Sequence, residues 1–103
     1  MTNVINATNE TFNNLIESGT VLIDIWAPWC GPCKLLSPLM DQLSIDRTDI
    51  KVVKVNVDDC PEIAKQLNVR GVPTLIVYHN GKYVKSSVGA ISMMQVTNLL
   101  NNL

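Results

Sequence analysis

Apolar positions along the chain fall into two alternating rhythms, short continuous runs and stripes of period three to four. Val4-Ile5 is a short first strand. Thr8 can cap a helix running to about Ser18, with Phe12, Leu15 and Ile16 on one face and Gly19 as its stop. Val21 to Trp26 is nearly all apolar, as expected of a strand covered on both faces, and Asp24 alone breaks it. From Cys33 to about Leu43 the positions Leu35, Leu36, Leu39, Met40 and Leu43 form a helical stripe, with Pro38 inside it predicting a kink. Ile50 to Val57 reads as another strand. Asp59 and Glu62 have capping-box spacing, opening a short helix to about Leu67, and Gly71-Val72-Pro73 ends that connection. Thr74 to Tyr78, Asn80-Gly81, and Lys82 to Val88 spell a hairpin. Ser92 with Gln95 repeats the capping box before a helix carrying Val96, Leu99, Leu100 and Leu103.

The predicted order is β-α-β-α-β-α-β-β-α. Strands alternating with helices give a parallel core, and the terminal hairpin adds an antiparallel edge. The fold class is therefore α/β, a mixed sheet with helices on both faces. At 103 residues, the chain is read as one domain over 1–103, long enough to bury roughly 65% of its unfolded surface without a metal or disulfide staple. The hydrophobic share of 47% and charged share of 17% are those of a globular chain. Eight basic against nine acidic side chains, with a sequence pI near 5.6, give no electrostatic footprint for nucleic acid or anionic lipid. The N-terminus lacks the pattern of a signal peptide, and no apolar run approaches the ~18 residues of a membrane span. Three cysteines do not make a secreted disulfide framework. The expectation is a soluble, cytoplasmic protein.

Chemistry concentrates in Trp26-Ala27-Pro28-Trp29-Cys30-Gly31-Pro32-Cys33-Lys34, where the buried strand hands over to a helix. Cysteines at this spacing on a helix start can approach to about 5.5–6 Å between Cα atoms, close enough for a disulfide. A thiol at a helix N-terminus faces unpaired N–H groups and the positive end of the dipole, which lower its pKa into the range ~3.5–7.5. Cys30 is thus the better nucleophile and Cys33, one turn in, the second to act. Pro32 costs little at a helix start and stiffens the loop. The competing readings are half a zinc site, which would need Cys60 and His79 to converge on the pair, or a structural disulfide.

These residues resemble the thioredoxin family, whose redox motif is Trp-Cys-Gly-Pro-Cys-Lys. The resemblance covers nearly the whole chain: Val21-Leu22-Ile23-Asp24, Pro38, Arg70-Gly71-Val72-Pro73-Thr74, Asn80-Gly81 and Val88-Gly89-Ala90 all stand at similar separations. It implies the thioredoxin fold, a central five-stranded mixed sheet flanked by four helices. It also implies a protein-disulfide reductase in which Cys30 attacks a substrate disulfide and Cys33 resolves the mixed disulfide. Asp24 matches a buried carboxylate that assists proton transfer. An apolar site independently raises a carboxylate towards the range of a general base. Lys54 matches a lysine beside that carboxylate, and Pro73 a cis-proline opposite the disulfide. Trp29, Gly31, Pro32, Val72, Pro73, Gly89 and Ala90 match the surface that receives an extended substrate segment. The partners implied are protein disulfides and a flavin-containing, NADPH-dependent thioredoxin reductase. The chain itself would be a monomer with no cofactor, and none of its glycine segments forms a phosphate loop.

Blander roles stand beside these: Asp24 as a hydrogen-bonded core carboxylate, Lys54 as a solvated strand residue, Trp26 as packing, His79 as an exposed hairpin residue. Ile25 replaces a frequent Phe, a matter of packing. Cys60 departs from the two-cysteine pattern and is expected to be a passive, semi-buried thiol, with glutathione addition or dimerisation as the alternative. Two other functions compete with the reductase. One is a rigid binding subunit, which would not need Cys30, Cys33 and Asp24 intact. The other is a disulfide oxidant or isomerase, which usually carries a different residue pair between its cysteines and a secretion signal.

Overall fold

The computed structural model describes residues 2–89 and 92–101. Its elements run β1 (Ile5–Asn6), α1 (Phe12–Ile16), β2 (Thr20–Trp26), α2 (Gly31–Asp46), β3 (Ile50–Asn56), α3 (Pro61–Gln66), β4 (Thr74–His79), β5 (Lys82–Val88) and α4 (Met93–Leu100). The sheet order is β1-β3-β2-β4-β5. β3 lies between β1 and β2 and parallel to both, while β4 and β5 run antiparallel to their neighbours. The mixed five-stranded sheet with four helices is the architecture the alternating pattern predicts.

β2 is central, which explains its near-continuous apolar run. Alternation sends Val21, Ile23 and Ile25 to one face, where they meet Phe12 and Ile16 of α1 and Ile63 of α3. Leu22 faces the other way, joining Val52, Leu75 and Val77 against Leu36, Met40 and Leu43 of α2 and Val96 and Leu100 of α4. Asp24 falls in the same alternating set as Leu22. It is 1% exposed, a carboxylate placed where its neighbours are apolar.

Several boundaries differ from the sequence pattern. The helix expected from Thr8 begins at Phe12, because residues 9–11 form a turn in which Thr8 Oγ1 accepts the Thr11 N–H at 3.2 Å. α2 runs from Gly31 to Asp46, longer than the stripe, and continues unbroken through Pro38. Asp59 and Glu62 form no capping box. The chain turns so that the Asp59 and Cys60 N–H groups both reach the Asn56 carbonyl, which puts Cys60, not Asp59, at the cap position with no side-chain cap. The Ser92–Gln95 box forms in full. Asn80 and Gly81, at φ +50° and +81°, make the two-residue turn between β4 and β5. Among the described residues, no helix is long and apolar enough to cross a membrane. The expected helix positions at Leu103, and Ala90, lie outside the described residues.

Candidate active site

β2 ends at Trp26, and a short loop carries the chain to the N-terminus of α2. The Cys30 N–H donates to the Ala27 carbonyl at 3.1 Å, closing that loop. Cys30 is the N-cap, with extended backbone, and its Sγ accepts the Cys33 N–H at 3.2 Å. The two cysteines are joined as a disulfide with Cα atoms 5.3 Å apart, as their spacing allows. Both are buried, packed with Ala27 and flanked by Trp26, Val57 and Val72. Gly31 and Pro32 are exposed at the helix start. Trp29 is 69% exposed, and its indole N–H donates to Asp58 at 3.3 Å.

The loop before β4 closes the other side. The Val72–Pro73 bond is cis, and the Gly89 N–H donates to the Pro73 carbonyl at 2.8 Å. Gly89 has φ +102°, a backbone conformation that side chains other than glycine's rarely adopt. The surface residues named from the sequence are therefore contributed by three separate segments, apart from Ala90.

On the face of the sheet that α2 covers lies a polar group formed by Asp24, Lys54 and Ser37. Asp24 on β2 and Lys54 on β3 are register partners, so both project from one face of the sheet. Burial pushes the Asp24 carboxyl up to about 6, with the Lys54 ammonium pulling it down. Neither carboxylate oxygen has a hydrogen-bond partner among the described residues. Lys54 Nζ instead donates to Ser37 Oγ on α2 at 2.8 Å and lies 5.0 Å from the Trp26 ring centroid. A cleft of about 200 Å³ is lined by Trp26, Ala27, Pro28, Cys33, Lys34, Ser37 and Lys54. No protein group among the described residues hydrogen-bonds the Asp24 carboxylate, and Lys54 is half-buried in that cleft.

The thioredoxin family model matches residues 3–102 of the chain. The chain belongs to the thioredoxin family. It is 41% identical to thioredoxin 1 of Synechococcus elongatus over 97 residues, covering 91% of each chain. It is 38% identical to the thioredoxin of Haemophilus influenzae over 104 residues, covering 98% of this chain and 97% of that one. The crystal structure of Malassezia sympodialis thioredoxin superimposes with a TM-score of 0.87 at 28% identity, covering 96% of this chain and 89% of that one. The disulfide-forming pair and the family together make this a protein-disulfide oxidoreductase working by dithiol–disulfide exchange. Its partners are disulfide substrates and a thioredoxin reductase that recycles it, the general role in the family.

The third cysteine stands apart. Cys60 is 2% exposed rather than semi-buried, and it packs with Phe12, Val55 and Ile63 in the cluster on the opposite face of the sheet. His79 is exposed at the far end of β4, its Nδ1 within 2.9 Å of Thr20 Oγ1. Ser37, Val57 and Asp58 are contacts the sequence reading did not name. Ser37 was the findable one: it stands four residues after Cys33, on the same face of α2.

Proposed function

We propose that the protein is a general cytoplasmic protein-disulfide reductase, a monomer with one domain over 1–103. Cys30 is the nucleophile, Cys33 the resolving thiol and Asp24 the proton acceptor. The observation that carries this assignment is the Cys33 N–H directed at Cys30 Sγ, at the N-cap of a 16-residue helix. That donor and the helix dipole favour a thiolate at Cys30 over one at Cys33.

In the reduced protein the Cys30 thiolate attacks one sulfur of a substrate disulfide, forming a mixed disulfide and releasing the first substrate thiolate. Cys33 gives its proton to the Asp24 carboxylate and attacks Cys30 Sγ. The mixed disulfide breaks, the second substrate thiol leaves, and the protein's own disulfide closes. Two electrons have moved from the Cys30–Cys33 dithiol to the substrate. A carboxyl titrating about 6 is ionised enough at neutral pH to accept that proton and acidic enough to lose it again. Lys54 tunes that carboxyl by its charge. Trp29, Gly31, Pro32, Val72, Pro73, Gly89 and Ala90 receive the substrate as an extended segment against exposed backbone. The recycling reductase carries flavin and draws on NADPH.

Reduction of insulin disulfides by dithiothreitol, followed as turbidity, tests the reading. The wild type should accelerate precipitation well above the uncatalysed rate and Cys33→Ser should not. A wild type no faster than background would leave the fold serving as a binding subunit.

A further inference from the structure

The position of the Lys54 ammonium is not explained by Lys54 itself. Its stem rises from β3 in register with Asp24, the one buried carboxylate among the described residues. A lysine head is compact, strongly hydrated and carried on a flexible stem, so a cleft open to solvent invites it outward. Here it is held by one hydrogen bond, to Ser37 Oγ, and by the Trp26 ring. Ser37 lies on α2 one turn after Cys33, half-buried, and lines the same cleft as Cys33 and Lys54.

We infer that Ser37 is a positioning residue for the exchange reaction: its hydroxyl holds the Lys54 ammonium inside the cleft, where the positive charge bears on Asp24. The consequence for proton transfer rests on the reading of Asp24 as proton acceptor given above. The charged and titratable groups around this point are few. β3 supplies Lys54, and α2 supplies Cys33 and Lys34 to the cleft lining. β4 supplies only Leu75 beside Asp24. The Asp58 carboxylate is engaged by the Trp29 indole. Lys54 is the one charge that acts on Asp24 against the effect of burial, so the placement of that ammonium sets how far the carboxyl rises. Without an acceptor on α2 the ammonium swings to water, its attraction for the carboxylate is screened, and Asp24 holds its proton to higher pH.

The test is an NMR titration of the Asp24 carboxyl in the oxidised protein, paired with the pH dependence of the resolving step measured by rapid mixing. Ser37→Ala should raise the Asp24 midpoint by about half to one pH unit, while Ser37→Thr, which keeps the hydroxyl, should restore it. At pH 6 that shift lowers the ionised fraction, and with it the resolving rate, by about two- to fivefold. In a Lys54→Met background Ser37→Ala should have no further effect on the midpoint, because Ser37 acts through the ammonium. An unchanged or lowered midpoint in Ser37→Ala overturns the inference, as does an equal rise with and without Lys54. A midpoint that moves as stated while the resolving rate does not would sustain the Ser37–Lys54–Asp24 coupling and remove Asp24 from the proton path.

Discussion

Asp24 and Lys54 face each other as register partners across β2 and β3, yet the ammonium donates to Ser37 and leaves both carboxylate oxygens without a hydrogen bond. Burial is the larger influence on the carboxyl, and the Lys54 charge held in the cleft offsets it only in part. The group therefore titrates in the range where it can exchange a proton at neutral pH.

That arrangement costs stability in a definite pH window. The folded-state value of Asp24 is raised from 3.8 to about 6, so between those values the folded chain binds more protons than the unfolded one. Stability therefore falls as pH rises from about 4 to about 6, by roughly 3 kcal/mol for a shift of this size, and stays reduced above it. Asp24→Asn should remove this slope and be equally or more stable than wild type at pH 7. Urea denaturation at pH 4 and pH 7, with exchange rates measured alongside, checks it. Exchange in the variant should be slower.

Cys33→Ser should accumulate a mixed disulfide through Cys30, since the resolving thiol is gone while the helix-start nucleophile remains. Cys30→Ser should lose reductase activity entirely. Mass spectrometry of peptides from Cys33→Ser after incubation with a disulfide substrate locates the adduct, which belongs on Cys30. An adduct mainly on Cys60 would contradict the assignment.

How much of this was legible beforehand follows from which interactions are local. The cysteine pair, the Asn80-Gly81 turn and the Ser92–Gln95 box are contained within a few residues, and the structure has each where the sequence placed it. The failed Asp59–Glu62 box was misread because a turn anchored on the Asn56 carbonyl carries Asp59 past the cap position, a backbone contact no spacing rule encodes. Depth was harder still. Asp24 could be seen to break a buried strand, but the Lys54–Ser37 bond that decides its charge environment joins β3 to α2 across seventeen residues. Only the parallel register of β2 and β3 brings those groups together.

Gly81 should resist substitution. It sits at φ +81°, a conformation strained for any residue with a Cβ, in a turn where Asn80 also exchanges hydrogen bonds with Gly19. Gly81→Ala should cost about 1–2 kcal/mol, or roughly 5 °C per kcal/mol in melting temperature. Reductase turnover at 25 °C should be unaffected, because the turn lies at the end of β4 remote from Pro73. Calorimetry and the insulin assay together check both halves.

Cys60 should prove dispensable to catalysis and slow to react. Burial is the largest influence on its thiol and pushes it up, and the Asp59 and Glu10 carboxylates push in the same direction. The helix-start position that favours a thiolate at Cys30 does little here, since α3 is only six residues long and Cys60 accepts no N–H as a side-chain cap. Its sulfur is directed at the Ala7 carbonyl, 3.9 Å away, inside an apolar cluster. Cys60→Ser should leave insulin reduction unchanged and shift stability by at most about 1–2 kcal/mol. Because the folded-state thiol lies above its ordinary value of 9.0, the unfolded chain loses this proton first, and wild-type stability should fall more steeply than that of the variant above about pH 9. Thiol labelling of the reduced protein at pH 7 gives the direct comparison. Cys30 should react fast and Cys60 only at the rate of local opening, so labelling of Cys60 at a rate comparable to Cys30 would show that the thiol is accessible and the passive role wrong.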